Sequence, residues 1–456
     1  MIGIKNGMVM QRNGSGVCEI ALESDTALQN AEYSGADGIP RKAEITKKDG
    51  SYVLSGIPVG GPYTVTAGGQ NFTDIYVGDL WILAGQSNMQ GVGWLEPEDR
   101  MFKGCPDVRA LFMNDEWGAA KHPLHELWKA VDKVHTVEFG ASGEPPDFNN
   151  IGPGLAFGIK MRDMAGVPQG LLCCAHGGTS MAQWSPAIKN LGCDKSLYAA
   201  MERRFKTNGS HVRGMFWYQG CSDTSRDACM VFDEAMKGFI GACRKDFYWD
   251  AELPIVQVQI GRFVFSDTDN GAEYWNAIRE KQRLISTSFS KVATVSAIGK
   301  GLDDLIHIDR QGQIELGREA AEAMYNILYG SDYNGCLPPP AFGGIADVKW
   351  DPLAAMTVID LRFDNLHGGL TSQGRPEGFA VITNALTFGW PEMENIPDWQ
   401  CVVKIRLINN IARIYIQIEP EKLKGSRLYY GCGLNPYCNI TDYLGRSIPA
   451  FGPVIL

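Results

Sequence analysis

"LWILAGQSNMQGVG", Leu80 to Gly93, changes character half-way along. The apolar run Trp81 to Ala84 reads as a buried strand, and Gly85, Gln86, Ser87 and Asn88 read as the turn that ends it. An uncharged serine flanked by amides at the mouth of a buried strand has two readings. One is a helix N-cap supplied by Ser87 or Asn88. The other is a nucleophile held at the edge of a sheet, with backbone N–H groups nearby to receive an oxyanion.

The surroundings of this stretch decide the fold. From about 79 to 335, apolar strand candidates ("LWILAG", "QGLLCCAH", "VRGMFWYQG", "LPIVQVQIG", "KVATVSAIG") alternate with helix-like stretches such as "GPGLAFGIKMRDMAG", "SLYAAMERRFKT" and "DEAMKGFIGACRKDF". That alternation predicts an α/β domain, a parallel sheet with helices on both faces, closed by the helix-like "DRQGQIELGREAAEAMYNILYG". Residues 1–78 carry short alternating runs punctuated by glycine, proline and asparagine, which predicts a small N-terminal β domain. The proline-rich "CLPPPAF", Cys336 to Phe342, ends the central segment, because no helix or central strand crosses it. Beyond it "MTVIDLRF", "CVVKIRLI", "IARIYIQI" and "SRLYYGCG" predict a C-terminal, sandwich-like β domain over 336–456.

Composition narrows the function classes. The 456 residues include 45% hydrophobic and 21% charged side chains, ordinary for a globular protein of two or three domains. A net charge of −10 without a Lys/Arg cluster argues against a nucleic-acid partner. No run approaches the roughly 18 apolar residues of a membrane span. The N-terminus lacks a sustained apolar segment, which predicts a cytoplasmic protein, or a secreted one if a leader precedes it. Twelve scattered cysteines, with Cys173 and Cys174 inside an apolar run and no C-x-x-C pair, suggest reduced thiols rather than a disulfide framework or a zinc knuckle.

Four polar islands follow strand candidates, where open parallel sheets bind ligands. They are Ser87, "HGGTSMAQW" (His176–Trp184), "WYQGCSD" (Trp217–Asp223) and "DDLIHID" (Asp303–Asp309). A serine hydroxyl needs a base to become a nucleophile, and a histidine base needs a carboxylate to hold its tautomer. His307, with Asp304 three residues before it, fits that pair. Oxyanion donors are available from the Ser87 N–H, the unobstructed backbone of Gly178 and the Gln219 amide.

"GQSNM" at 85–89, "GGTS" at 177–180 followed by Trp184, "WYQG" at 217–220 and D-x-x-H at 304–307 resemble the successive blocks of the SGNH hydrolase superfamily. More narrowly they resemble its sialate O-acetylesterase-like carbohydrate esterases. The resemblance implies a flavodoxin-like α/β/α catalytic domain flanked by β domains, no metal or organic cofactor, and removal of O-acetyl groups from mono-, oligo- or polysaccharides. It implies Ser87 as nucleophile, His307 as base, Asp304 as its orienter, and Ser87, Gly178 and Gln219 as the oxyanion hole. Gln86, Asn88, Trp184, Trp217 and Cys221 are candidate substrate contacts, Cys221 standing where relatives often carry glutamate.

Several residues have competing readings. Asp303 competes with Asp304, and Asp309 reads as the N-cap of the closing helix. His176 is either pocket lining or an ordinary loop histidine. His122, His125 and Glu126 in "KHPLHE" hint at metal ligands, but Pro123 breaks the helix that such spacing requires, so a surface loop or cleft rim is expected. Trp184 and Trp217 could stack on sugar rings, yet large aromatics are more often core. Two other functions compete with deacetylation: carbohydrate binding by an inactive hydrolase core, and hydrolysis of lipid-like esters or thioesters.

Overall fold

The strand that ends at Gly85 begins well before the expected domain boundary. Strand β1 runs unbroken from Gln70 to Gly85 and is buried from Ile75 onward. The computed structural model describes residues 1–48, 50–136, 151–247, 252–266, 271–331, 335–383 and 399–456. The first part of β1 pairs antiparallel with Gly60–Ala67 of the N-terminal β domain, and its second part lies between two parallel neighbours. The expected break between residues 78 and 79 is therefore not a linker but the middle of a shared strand. At Gly78 a Cβ would meet the Pro168 carbonyl oxygen at 1.9 Å, and the adjoining Asp79 is fully buried. Three hydrophobic cores nonetheless separate along the chain. One holds residues from Ile4 to Val77, one is built mainly from Leu80 to Tyr325, and one mainly from Ile359 to Phe451. The first C-terminal strand, Ala341–Asp351, starts directly after the prolines.

Six more strands join β1 in the central sheet: β2 (Cys105–Leu111), β3 (Trp117–Ala120), β4 (Gln169–Cys173), β5 (Gly214–Tyr218), β6 (Ile255–Gln259) and β7 (Val292–Ser296). Their spatial order is β3-β2-β4-β1-β5-β6-β7, parallel throughout except for β3. The five strands β4-β1-β5-β6-β7 have the flavodoxin-like order, and β2 with β3 extends the β4 edge. The connections leave β1 and β5 in opposite directions, so a crevice opens beyond their carboxyl ends.

Adjacent residues of β5 show that both faces are covered. Phe216 stacks on Phe157 of α1 (Gly154–Ala165), with centroids 5.1 Å apart. Trp217, pointing the other way, meets Phe239 at 4.4 Å. Helix α2 spans Leu197–Lys206, and Phe239 belongs to α3 (Arg226–Asp246). Helix α4 (Gly271–Ser288) packs on α3, and the closing helix α5 (Arg310–Tyr329) packs on α1. Asp309 caps α5 as expected, its Oδ1 accepting the Gly312 N–H at 2.7 Å. No helix among the described residues is long and apolar enough to cross a membrane.

The N-terminal domain is locked to the sheet by charge as well as by the shared strand. Arg12 donates to both carboxylate oxygens of Asp79 at 2.9 Å, and Asp79 has no solvent exposure. Removing the guanidinium leaves a buried carboxylate without its cation, which costs about 3 kcal/mol. Urea unfolding of Arg12→Met should therefore show a loss of roughly that size, and a change below about 0.5 kcal/mol would contradict this role for the pair.

Candidate active site

Gly85 closes β1 with φ 135°, and a Cβ there would stand 2.2 Å from the Tyr218 carbonyl oxygen. Only glycine lets the end of β1 press so closely on the end of β5. Gln86 is extended, and Ser87–Gln90 form a single helical turn. Ser87 is the first helical residue and no side chain caps the turn, so neither Ser87 nor Asn88 serves as an N-cap.

Every amide on this turn reaches a different loop. Gln86 Oε1 accepts the Gly220 N–H at 2.9 Å, beyond β5. Asn88 Oδ1 accepts the Ile308 N–H at 2.9 Å and the Gln313 amide at 3.1 Å, while its Nδ2 donates to the Ile306 carbonyl at 3.4 Å. Gln90 Oε1 accepts the Gly177 N–H at 2.7 Å, beyond β4. All three amides are buried. The residues at 86, 88 and 90 thus bind the three other polar islands to the turn that carries Ser87, and Asn88 grips the residues on either side of His307.

In the loop beyond β7, His307 Nδ1 donates to Asp304 Oδ2 at 2.6 Å. Asp304 Oδ1 accepts the N–H groups of Ile306 and His307, each at 2.8 Å. Partial burial pushes the Asp304 carboxyl upward, but the bonds from the His307 ring and the two N–H groups outweigh it and hold the group below the usual carboxylate range. Asp303 turns away, accepting the Trp94 N–H at 2.7 Å. The competition between the two aspartates is thus resolved by geometry, with Asp304 against the ring.

The glycine pair packs on the serine turn: a Cβ on Gly177 would meet Ser87 Cβ at 3.4 Å. The backbone N–H groups of Ser87 and Gly178 find no acceptor among the described residues. Gln219 differs from its expected role. Its Nε2 donates to the Thr179 carbonyl at 3.0 Å and to the Asp223 carboxylate, so neither amide hydrogen is left for an oxyanion. Gln219 instead anchors the glycine loop. Asp223 supports the same loop by accepting the Met181 N–H at 3.1 Å.

Residues 77–326 match the family described as carbohydrate esterase, sialic acid-specific acetylesterase. The chain belongs to this family. A sialate O-acetylesterase of Mus musculus is 26% identical over 203 residues, which cover 40% of this chain and 36% of that protein. The chain therefore spans about a third of the length of this curated relative. A solved carbohydrate acetylesterase from Xanthomonas citri shares the fold over nearly the whole length, covering 99% of this chain and 98% of its own, with a TM-score of 0.69 at 18% identity.

Within this carbohydrate esterase family member, most of the expected substrate contacts have other work. Gln86 and Asn88 are occupied as described. Trp184 is fully buried and donates from Nε1 to Thr179 Oγ1 at 2.9 Å. Its ring meets Trp217 edge-on at 5.2 Å, so both indoles belong to the core and neither faces a sugar. Burial pushes the Cys221 thiol up to about 12, so it stays protonated near neutral pH and packs at the margin of the core.

The histidines other than His307 are mostly interior. His125 is buried with Nδ1 against the Gln90 carbonyl at 3.1 Å, and burial lowers it to about 3, so the expected surface loop is corrected. His176 is half-buried, its Nδ1 3.3 Å from Nδ1 of buried His135. Among the described residues no group of three or more His, Cys, Asp or Glu side chains is arranged to hold a metal ion.

Sequence reasoning assigned no role to Gln90 or Asp223. The available signal was the spacing of three amides at alternate positions around Ser87. If Cys221 is only packing, Cys221→Ala should keep most acetate-releasing activity, and a thiol-selective reagent should leave it intact. Near-complete loss in Cys221→Ala with Ser87→Ala still active would make the thiol the nucleophile.

Proposed function

We propose that this chain is a serine esterase that removes O-acetyl groups from acetylated carbohydrates through an acetyl-enzyme. Family membership supports the reaction class, and the observation that carries the reading is the His307–Asp304 pair gripped by Asn88, the residue next to Ser87. With Nδ1 committed to Asp304, the His307 ring keeps Nε2 as the basic nitrogen.

Ser87 Oγ attacks the acetyl carbonyl carbon as its proton passes to His307 Nε2. The carbonyl electrons move onto oxygen, and the N–H groups of Ser87 and Gly178 receive that oxyanion. Collapse expels the sugar oxygen, which takes the proton from His307, and leaves acetyl-Ser87. Water then attacks the ester and passes one proton to His307; acetic acid leaves as that proton returns to Ser87, and it ionises to acetate in solvent. Asp304 stays ionised throughout and stabilises the imidazolium at each stage. The substrates in view are acetylated sialic acids or sugars from plant polysaccharides.

Acetate release from acetylated xylan, acetylated mannan, acetylated sialic acids and acetylated monosaccharides tests the reading. Ser87→Ala and His307→Ala should each remove nearly all activity, and the double variant should be little worse, because the residues act as a unit. Asp304→Asn should be far more damaging than Asp303→Asn. Activity on acyl-chain esters without any on acetylated sugars would contradict the substrate class, and an active Ser87→Ala would contradict the mechanism.

A further inference from the structure

Three aromatic rings form a ladder that leads from the core to the surface beside the catalytic loop. Trp275 of α4 is buried, with its Nε1 donating to the Gly261 carbonyl at 2.9 Å. Phe263 stacks on it, with centroids 5.2 Å apart and planes 21° apart. Phe265 stacks on Phe263 at 5.2 Å with the planes only 5° apart. The outermost ring is 57% exposed. Stacking on Phe263 holds this exposed ring at a defined angle.

The ladder is tied to the site. The Val264 N–H donates to the Leu305 carbonyl at 2.7 Å, and Leu305 lies between Asp304 and His307. The C-terminal domain holds the other side. The Phe263 N–H donates to the Leu434 carbonyl at 2.8 Å, and Arg262 donates to Asn435 Oδ1 at 3.0 Å. Arg279 of α4 clasps both segments, donating to the Gly261 carbonyl at 2.6 Å and to the Gly433 carbonyl at 2.6 Å. An exposed aromatic face is thereby fixed in register with the histidine base by three separate parts of the chain.

We propose that Phe265 is the platform on which a sugar ring of the substrate lies while its acetyl ester reaches Ser87, and that the C-terminal domain holds that platform in place. The inference rests on the proposed deacetylase function. The apolar C–H face of a pyranose suits a phenyl ring, and a flat, fixed ring has little entropy to lose on binding. This gives the C-terminal domain a part in substrate selection.

Phe265→Ala and Phe265→Trp should be compared with the unaltered chain on acetylated xylotetraose and on ethyl acetate, an ester with no ring. In Phe265→Ala, KM for the acetylated sugar should rise about tenfold with kcat little changed, the size expected for one lost ring contact. The ratio of kcat/KM for sugar over ethyl acetate should fall by the same factor, and Phe265→Trp should restore it. An unchanged ratio in Phe265→Ala would overturn the platform and leave the deacetylase reading standing. Equal losses on both esters would make Phe265 a prop for the catalytic loop and also overturn it. An unaltered chain that hydrolyses ethyl acetate but not the acetylated sugar would overturn the deacetylase reading itself, and the platform with it.

Discussion

Three buried amides on one turn hold the site together. Gln86, Asn88 and Gln90 bracket Ser87, and each fixes a loop from a different strand end. A buried amide or N–H left unpaired costs about 1–3 kcal/mol, so the turn is stable only when all three loops are seated. The Ser87 turn, the His307 loop and the glycine pair thus form one hydrogen-bonded unit rather than separate loops that happen to meet. Asn88 is the most consequential arm because it pairs with both neighbours of His307 and with Gln313 of the following helix.

This arrangement depends on where the chain reverses direction across the sheet. The turn lies at the end of the strand from which the connections diverge, so loops from either side can reach it. Gly85 sets its height by pressing against Tyr218, which no larger residue permits. The same strand carries the N-terminal domain on its other half, and Arg12 with Asp79 fixes that join. The C-terminal domain enters from the opposite end of the sheet, through the loop clasped by Arg279.

Much of this was legible in the chain because strands buried on both faces leave unmistakable apolar runs, and the polar islands follow them directly. The pairing of His307 with Asp304 was legible because three-residue spacing brings both side chains to one turn. Residue roles within the islands were harder to read. An amide that binds a sugar and an amide that binds a backbone N–H are the same residue type, so Gln86, Asn88 and Gln219 passed for substrate or oxyanion contacts. Trp184 and Trp217 differ from sugar platforms only in what covers them. Phe265, the exposed ring proposed for that role, sits in a short loop with no periodicity. The change of pattern near residue 78 coincides with the change of hydrophobic core, from Val77 to Leu80, but β1 runs through it unbroken, so no linker marks the place.

The central claim is that Asn88 sets the base against the nucleophile. Steady-state kinetics of Asn88→Ala on an acetylated sugar, with thermal unfolding alongside, tests it most directly. A displacement of the base of about 1 Å is enough to cost about 10²-fold in rate. The account predicts a fall in kcat of that order, with KM little changed and the protein still folded. A folded Asn88→Ala protein with kcat within about threefold of the original would show that the histidine loop holds itself, and would contradict the account.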